Sequence, residues 1–209
     1  MFIKNWTALE LGWLGLFSAI AAGLSLYWGD TWFGFSIFLT GVLSVILCSK
    51  GSLWNYAFGT YNVIGYSYVA WTNGLFGEVM LNMGYYLPMQ LIGFLMWKKN
   101  MSKNKQDEVL MKRMSVKNFL LIVTATIVGI FIYGYFLSLI PTQNTPYIDS
   151  TTTVLSITAM LLMVKRYTEQ WYLWIAVNIF SIVMWSLRLS TGMDGAIAMV
   201  VMWSAYREW

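Results

Sequence analysis

Trp54, Phe58, Asn62 and Tyr66 recur at intervals of four residues, so in a helix they stand one above another on a single face. Gln170, Trp174, Asn178 and Ile182 repeat that spacing, and both sets place an aromatic residue one turn ahead of an asparagine. A third stripe is Asn82, Tyr86 and Gln90, with Asp194 as the counterpart of Asn82 in the second half of the chain. Flat side chains of this kind stack on a ring, while carboxamides offer both hydrogen-bond donors and acceptors. The chemistry suits reversible binding of a neutral or weakly charged ring compound, and ribose hydroxyls would use the same amides.

Bond-making chemistry has little to work with. A single cysteine, Cys48, and no histidine leave no Cys/His metal site, no internal disulfide and no imidazole proton relay. Neither clustered carboxylates nor a serine and histidine pair is present, so an enzyme is not expected, and no cofactor or metal is called for. Glu78 and Asp194 fall near the outer ends of their apolar segments, where solvated carboxylates are tolerable; any ion coupling would rest on them. A plainer reading stands beside the ligand reading. Buried amides often only bond neighbouring membrane helices, and interfacial belts suffice for Trp28, Trp71, Trp97 and Trp209.

The elements that position these residues follow from composition. Of 209 residues, 58% are hydrophobic and 11% charged, too little polar surface for a water-soluble fold. Eight apolar segments approach the roughly 20 residues a helix needs to cross a bilayer. They are Leu9 to Trp28, Thr31 to Cys48, Leu53 to Thr72, Gly77 to Trp97, Val116 to Ile140, Thr151 to Val164, Gln170 to Leu187 and Met193 to Tyr206. Thr151 to Val164 is short and threonine-rich; hydroxyls bonded back to carbonyls within the helix lower its cost of entering lipid.

Charge tests the same scheme. The link from Lys98 to Lys117 carries Lys98, Lys99, Lys103, Lys105, Lys112, Arg113 and Lys117, which fixes it on the cytoplasmic side. Alternation then places both termini inside and leaves Arg188 alone outside among thirteen basic residues. Basic residues confined to short links form no continuous stripe, so the net charge of +4 does not indicate nucleic acid. The partner implied is the lipid bilayer.

The stretch from Trp54 to Trp97 resembles that from Gln170 to Trp209 when Asn62 is laid on Asn178. This predicts an all-α, polytopic membrane protein with a 3+1+3 helix repeat. Residues 1–30 form a helix outside the core, 31–97 the first three-helix repeat, 98–117 a basic cytoplasmic loop, 118–140 a connecting helix and 151–209 the second repeat. Parallel repeats of this kind place a substrate site near the bilayer midplane. Pro88 interrupts the helix carrying Asn82 and Gln90, and a kink is expected there.

Three runs of residues carry a family resemblance. They are Ala57-Phe58-Gly59-x-x-Asn62, Tyr147-x-Asp149-Ser150 ahead of the fifth core helix, and Lys165-Arg166-Tyr167-x-Glu169-x-Trp171-x-x-Trp174-x-x-x-Asn178. On these the chain, from about Thr31 to Trp209, resembles the PnuC family of bacterial vitamin transporters, whose overall plan is similar to that of the SWEET sugar transporters. The resemblance implies uptake of nicotinamide riboside across the bacterial inner membrane by facilitated diffusion, with a cytoplasmic nucleoside kinase trapping the product. It makes Trp174 and Phe58 the groups that sandwich the pyridine ring and puts Asn178 and Asn62 near its carboxamide. Gln90 and Asn82 would meet the ribose, and Gln170, Trp171, Tyr66, Tyr86 and Asp194 would complete the substrate-binding set. The family pattern has glutamine at Asn82, asparagine at Gln90 and asparagine near Ser204, so thiamine, riboflavin or a deoxynucleoside remain alternative substrates. A membrane-bound vitamin sensor is the alternative from another class, and a homo-oligomer, a trimer, is a further expectation.

Overall fold

A computed structural model describes residues 6–28, 32–72, 76–104, 108–141 and 145–190. Among these the chain is helical, and its only bridge of strand type is an isolated parallel pairing of Lys112 with Tyr167. It divides into two compact units, the first ending at Val109 and the second beginning at Leu110.

The first unit contains α1 (Ala8–Trp28), α2 (Trp32–Ser49), α3 (Trp54–Thr72), α4 (Phe76–Leu81) and α5 (Leu87–Asn104). A π-helical turn over Asn82–Tyr86 joins α4 to α5 in one continuous helix. With that joint counted as one helix, seven helices lie in the described residues, and the eighth expected segment, Met193 to Tyr206, lies outside them. Four of the helices are long and apolar enough to cross a membrane. α3 is not among these, because Asn55, Asn62, Tyr56, Tyr61, Tyr66 and Tyr68 interrupt its apolar surface.

The wide turn is the structure's answer to Pro88. Proline has no N–H, and its ring would collide with the carbonyl one turn earlier in a regular α-helix. One extra residue in the turn relieves both problems: the Leu87 N–H reaches back to the Asn82 carbonyl, five residues away. The irregularity thus sits inside the stripe that runs from Asn82 to Gln90.

α3 and α5 approach closely through two glycines. A Cβ on Gly93 would fall on the Tyr56 ring. Tyr56 in turn meets Trp97 edge to face, with ring centroids 5.1 Å apart. Trp97 is wholly buried there, so it is a packing residue of this unit rather than part of an interfacial belt. α2 ends in a Schellman turn: Gly51 takes φ +68°, its N–H donates to the Cys48 carbonyl, and the Ser52 N–H donates to Leu47.

The second unit contains α6 (Val116–Ser138), α7 (Pro146–Val164) and α8 (Gln170–Ser190). Here the structure corrects two expected boundaries. α7 starts at Pro146 rather than Thr151, because proline at the first helical position loses no bond the helix needs. Asp149 and Ser150 are therefore helical, and Ser150 donates to the Ile130 carbonyl on α6 at 2.6 Å. α5 continues to Asn104, past the expected end at Trp97, since lysine and asparagine can leave the apolar slab while remaining helical.

The threonines behave as their chemistry requires. Thr151, Thr152 and Thr158 donate to the carbonyls of Tyr147, Asp149 and Val154 within α7. Leu155, Ala159 and Leu162 of α7 pack with Leu173 and Val177 of α8, and Trp174 leans against this cluster. α6 is apolar on an open face, with Val116, Leu121 and Phe131 largely exposed, as lipid contact requires.

Replacing Gly93 with alanine pushes a methyl into a rigid aromatic ring. We expect this to destabilise the protein by about 1–3 kcal/mol, read as a lowered thermal midpoint in detergent.

Candidate functional site

In the first unit the structure places the expected residues as follows. Phe58, Asn62 and Tyr66 are half-buried along α3, whereas Trp54, at the head of the same stripe, is exposed. The Asn62 Nδ2 donates to the Ile37 carbonyl on α2 at 2.7 Å, so one end of this amide ties two helices together. Asn82 is buried and donates to the Glu78 carbonyl of its own helix at 2.8 Å. Tyr86 is buried at the end of the π-turn.

Gln90 differs from these amides. It is buried, and its Oε1 meets no donor among the described residues. An orphaned carbonyl oxygen in a membrane interior is costly, and a ligand that donates an N–H or O–H would recover that cost. Sequence spacing missed two companions: Asn55 and Tyr56 are buried on α3, and neither the Asn55 amide nor the Tyr56 hydroxyl finds a partner among the described residues. Asparagine inside an apolar run was the available signal; its position off the four-residue stripe hid it.

In the second unit Asn178 is buried, Trp171 and Trp174 are half-buried, and Gln170 is fully enclosed with neither amide atom partnered among the described residues. Asp194 lies outside the described residues. No group of histidine, cysteine and carboxylate side chains suited to a metal occurs among the described residues.

The run Lys165 to Glu169 performs a different task from the residues that follow it. α7 closes in a second Schellman turn, with Arg166 at φ 67° and N–H bonds from Arg166 to Met163 and from Tyr167 to Leu162. The segment from Leu110 to Met114 then docks on this turn. The Lys112 N–H donates to the Arg166 carbonyl at 2.9 Å, and the Thr168 N–H returns a bond to Lys112 at 3.1 Å. The Arg166 guanidinium reaches the Leu110 carbonyl, the Lys112 ammonium sits 4.2 Å above the Tyr167 ring, and the Met114 N–H donates to the Glu169 carboxylate at 2.9 Å. These residues hold a loop at the head of the helix that carries Trp174 and Asn178.

The family model for nicotinamide mononucleotide transporters matches residues 31–209. The chain belongs to this transporter family. It is similar to the nicotinamide riboside transporter PnuC of Neisseria mucosa, 37% identical over 205 residues, covering 97% of this chain and 78% of that protein. The nicotinamide riboside transporter PnuC of Haemophilus influenzae is 36% identical, with 88% of this chain and 82% of that protein covered. A crystal structure of the vitamin B3 transporter PnuC is similar with a TM-score of 0.77 and 36% identity, over 97% of this chain and 87% of that one. As a member of the family the chain is a multi-pass membrane transporter and not an enzyme.

Within this family framework the Glu169 bond makes a direct prediction. A carboxylate holding a backbone N–H is worth about 1.5–3 kcal/mol. Glu169→Ala should release the docked segment and speed tryptic cleavage after Lys112 and Arg113, followed by mass spectrometry. Unchanged cleavage would show that the loop is held without it.

Proposed function

We propose that the chain carries nicotinamide riboside across the bacterial inner membrane by facilitated diffusion. What carries the reading is the similarity, over nearly the whole chain, to proteins named for that substrate. The candidate recognising groups are Phe58, Asn62, Gln90, Trp174 and Asn178, with Tyr66, Asn82, Tyr86, Gln170, Trp171 and Asp194 as further members. Aromatic faces take the pyridinium ring, and carboxamides take the substrate's own carboxamide and hydroxyls.

The riboside is favoured over the mononucleotide because this set holds no lysine or arginine. A phosphate would have to shed water with no cation to receive it. The same asymmetry gives uptake its direction: a cytoplasmic kinase adds a strongly hydrated phosphate, and the product cannot return through a set that holds no cation to replace that water.

The accompanying architecture is a 3+1+3 repeat like that of the SWEET proteins, preceded by an extra helix, with eight spans and both termini cytoplasmic. Two observations support it. The turns after α2 and α7 share one geometry, with Gly51 and Arg166 left-handed. Each left-handed residue also accepts an N–H from the segment after α5, from Val109 in one case and Lys112 in the other.

Calorimetry of the purified protein with nicotinamide riboside, thiamine, riboflavin and thymidine tests substrate choice. Heat is expected with the first, and Trp174→Ala should weaken it by about 1–3 kcal/mol, the scale of base stacking on an aromatic side chain. Heat only with another member of the panel would reassign the substrate. Uptake into vesicles loaded with kinase and ATP should persist after sodium and proton gradients are collapsed. Its abolition would point to coupling through Glu78 or Asp194, and binding without uptake would favour a sensor.

A further inference from the structure

We propose that Gly59 sets substrate selectivity by leaving space for the Gln90 carboxamide, so that a glycine with no chemistry of its own positions a ligand-binding acceptor. The inference rests on Gln90 meeting substrate. Gly59 follows Phe58 directly on α3 and is buried. A Cβ added there would lie 2.7 Å from Gln90 Nε2, 3.0 Å from Oε1 and 3.1 Å from Cδ. All three nearest atoms belong to the tip of one side chain, and none is backbone.

That identity separates Gly59 from the other glycines of this interface. Gly93 lies against the rigid ring and hydroxyl of Tyr56, and Gly65 against the apolar Ile37 and Phe33, so neither leaves space for a flexible amide. At Gly59 the space is filled by a polar amide whose Oε1 is buried and meets no donor among the described residues. A carboxamide tip packed against a glycine cannot move toward α3, and with no donor among the described residues its oxygen is open to a ligand O–H or N–H. The substrate offers such donors in its ribose hydroxyls and in its carboxamide N–H2, and the family resemblance puts the ribose at Gln90.

The physical consequence of a methyl at this position is specific. Gln90 is flexible, so its tip gives way before the helices do, and the protein folds with the amide displaced. Displacement by a fraction of an ångström to an ångström is enough to lose a hydrogen bond. Asparagine at position 90 is one methylene shorter and would retract the amide by about the space the new methyl takes.

The test measures binding of nicotinamide riboside and of its 2′,3′-dideoxy analogue to the full-length protein in detergent, with thermal unfolding alongside. The wild type should prefer the riboside by about five- to tenfold, the scale of one net hydrogen bond. Gly59→Ala and Gln90→Ala should each abolish that preference while leaving affinity for the dideoxy analogue unchanged, and Gly59→Ala combined with Gln90→Asn should recover it. If Gln90→Ala abolishes the preference but Gly59→Ala does not, or weakens both ligands equally, the role assigned to Gly59 is wrong and Gln90 stands as a contact. If Gln90→Ala leaves the preference intact, Gln90 does not meet the ribose and the proposal falls with it.

Discussion

In a bilayer there is no water to satisfy a polar group, so every amide and hydroxyl placed inside the helices must find its partner within the protein or receive one from a ligand. This constraint sorts the polar residues of the chain into two classes. Thr126, Thr151, Thr152, Thr158 and Ser67 fold their hydroxyls back onto their own helices. Ser150, Ser44 and Asn62 reach carbonyls of the neighbouring helix and so fix packing. Against that background the amides of Asn55, Gln90 and Gln170 stand apart, because all three are buried and none is fully satisfied among the described residues.

The first class builds the scaffold on which the second depends. In the first unit, Tyr56 and Trp97 hold α3 and α5 at a distance set by Gly93, and that separation determines how Gln90 lies along α3. The π-turn ahead of Pro88 allows the helix carrying Asn82, Tyr86 and Gln90 to be continuous despite the proline. In the second unit the docked segment from Leu110 to Met114 braces the start of α8, so the rings and amides further along that helix begin from a fixed point.

Much of this was readable from the residues. Hydropathy placed α1, α2, α3 and α8 within a residue or two of their described starts, since apolar length is a local property. It missed the first turn of α7, where proline and polar residues mask a helix start, and the last turns of α5, where lysines continue the helix beyond the apolar stretch. The four-residue stripes singled out Asn62, Gln90, Trp174 and Asn178 as candidates. They could not show that Asn62 bonds Ile37, that Trp97 is enclosed, or that Gly59 faces Gln90, because those contacts join residues 25 or more positions apart in the chain. The run from Lys165 to Glu169 carried the family resemblance without an assigned role, and in the structure it holds the segment from Leu110 to Met114.

The central claim is that a set of rings and carboxamides without a lysine or arginine passes nicotinamide riboside without an ion gradient. Counterflow in proteoliposomes addresses it most directly: vesicles containing the purified chain are loaded with unlabelled nicotinamide riboside and diluted into a trace of labelled compound, with no ion gradient present. The account predicts transient accumulation of label above equilibrium, abolished when the internal riboside is omitted. No accumulation beyond that of protein-free vesicles would contradict it.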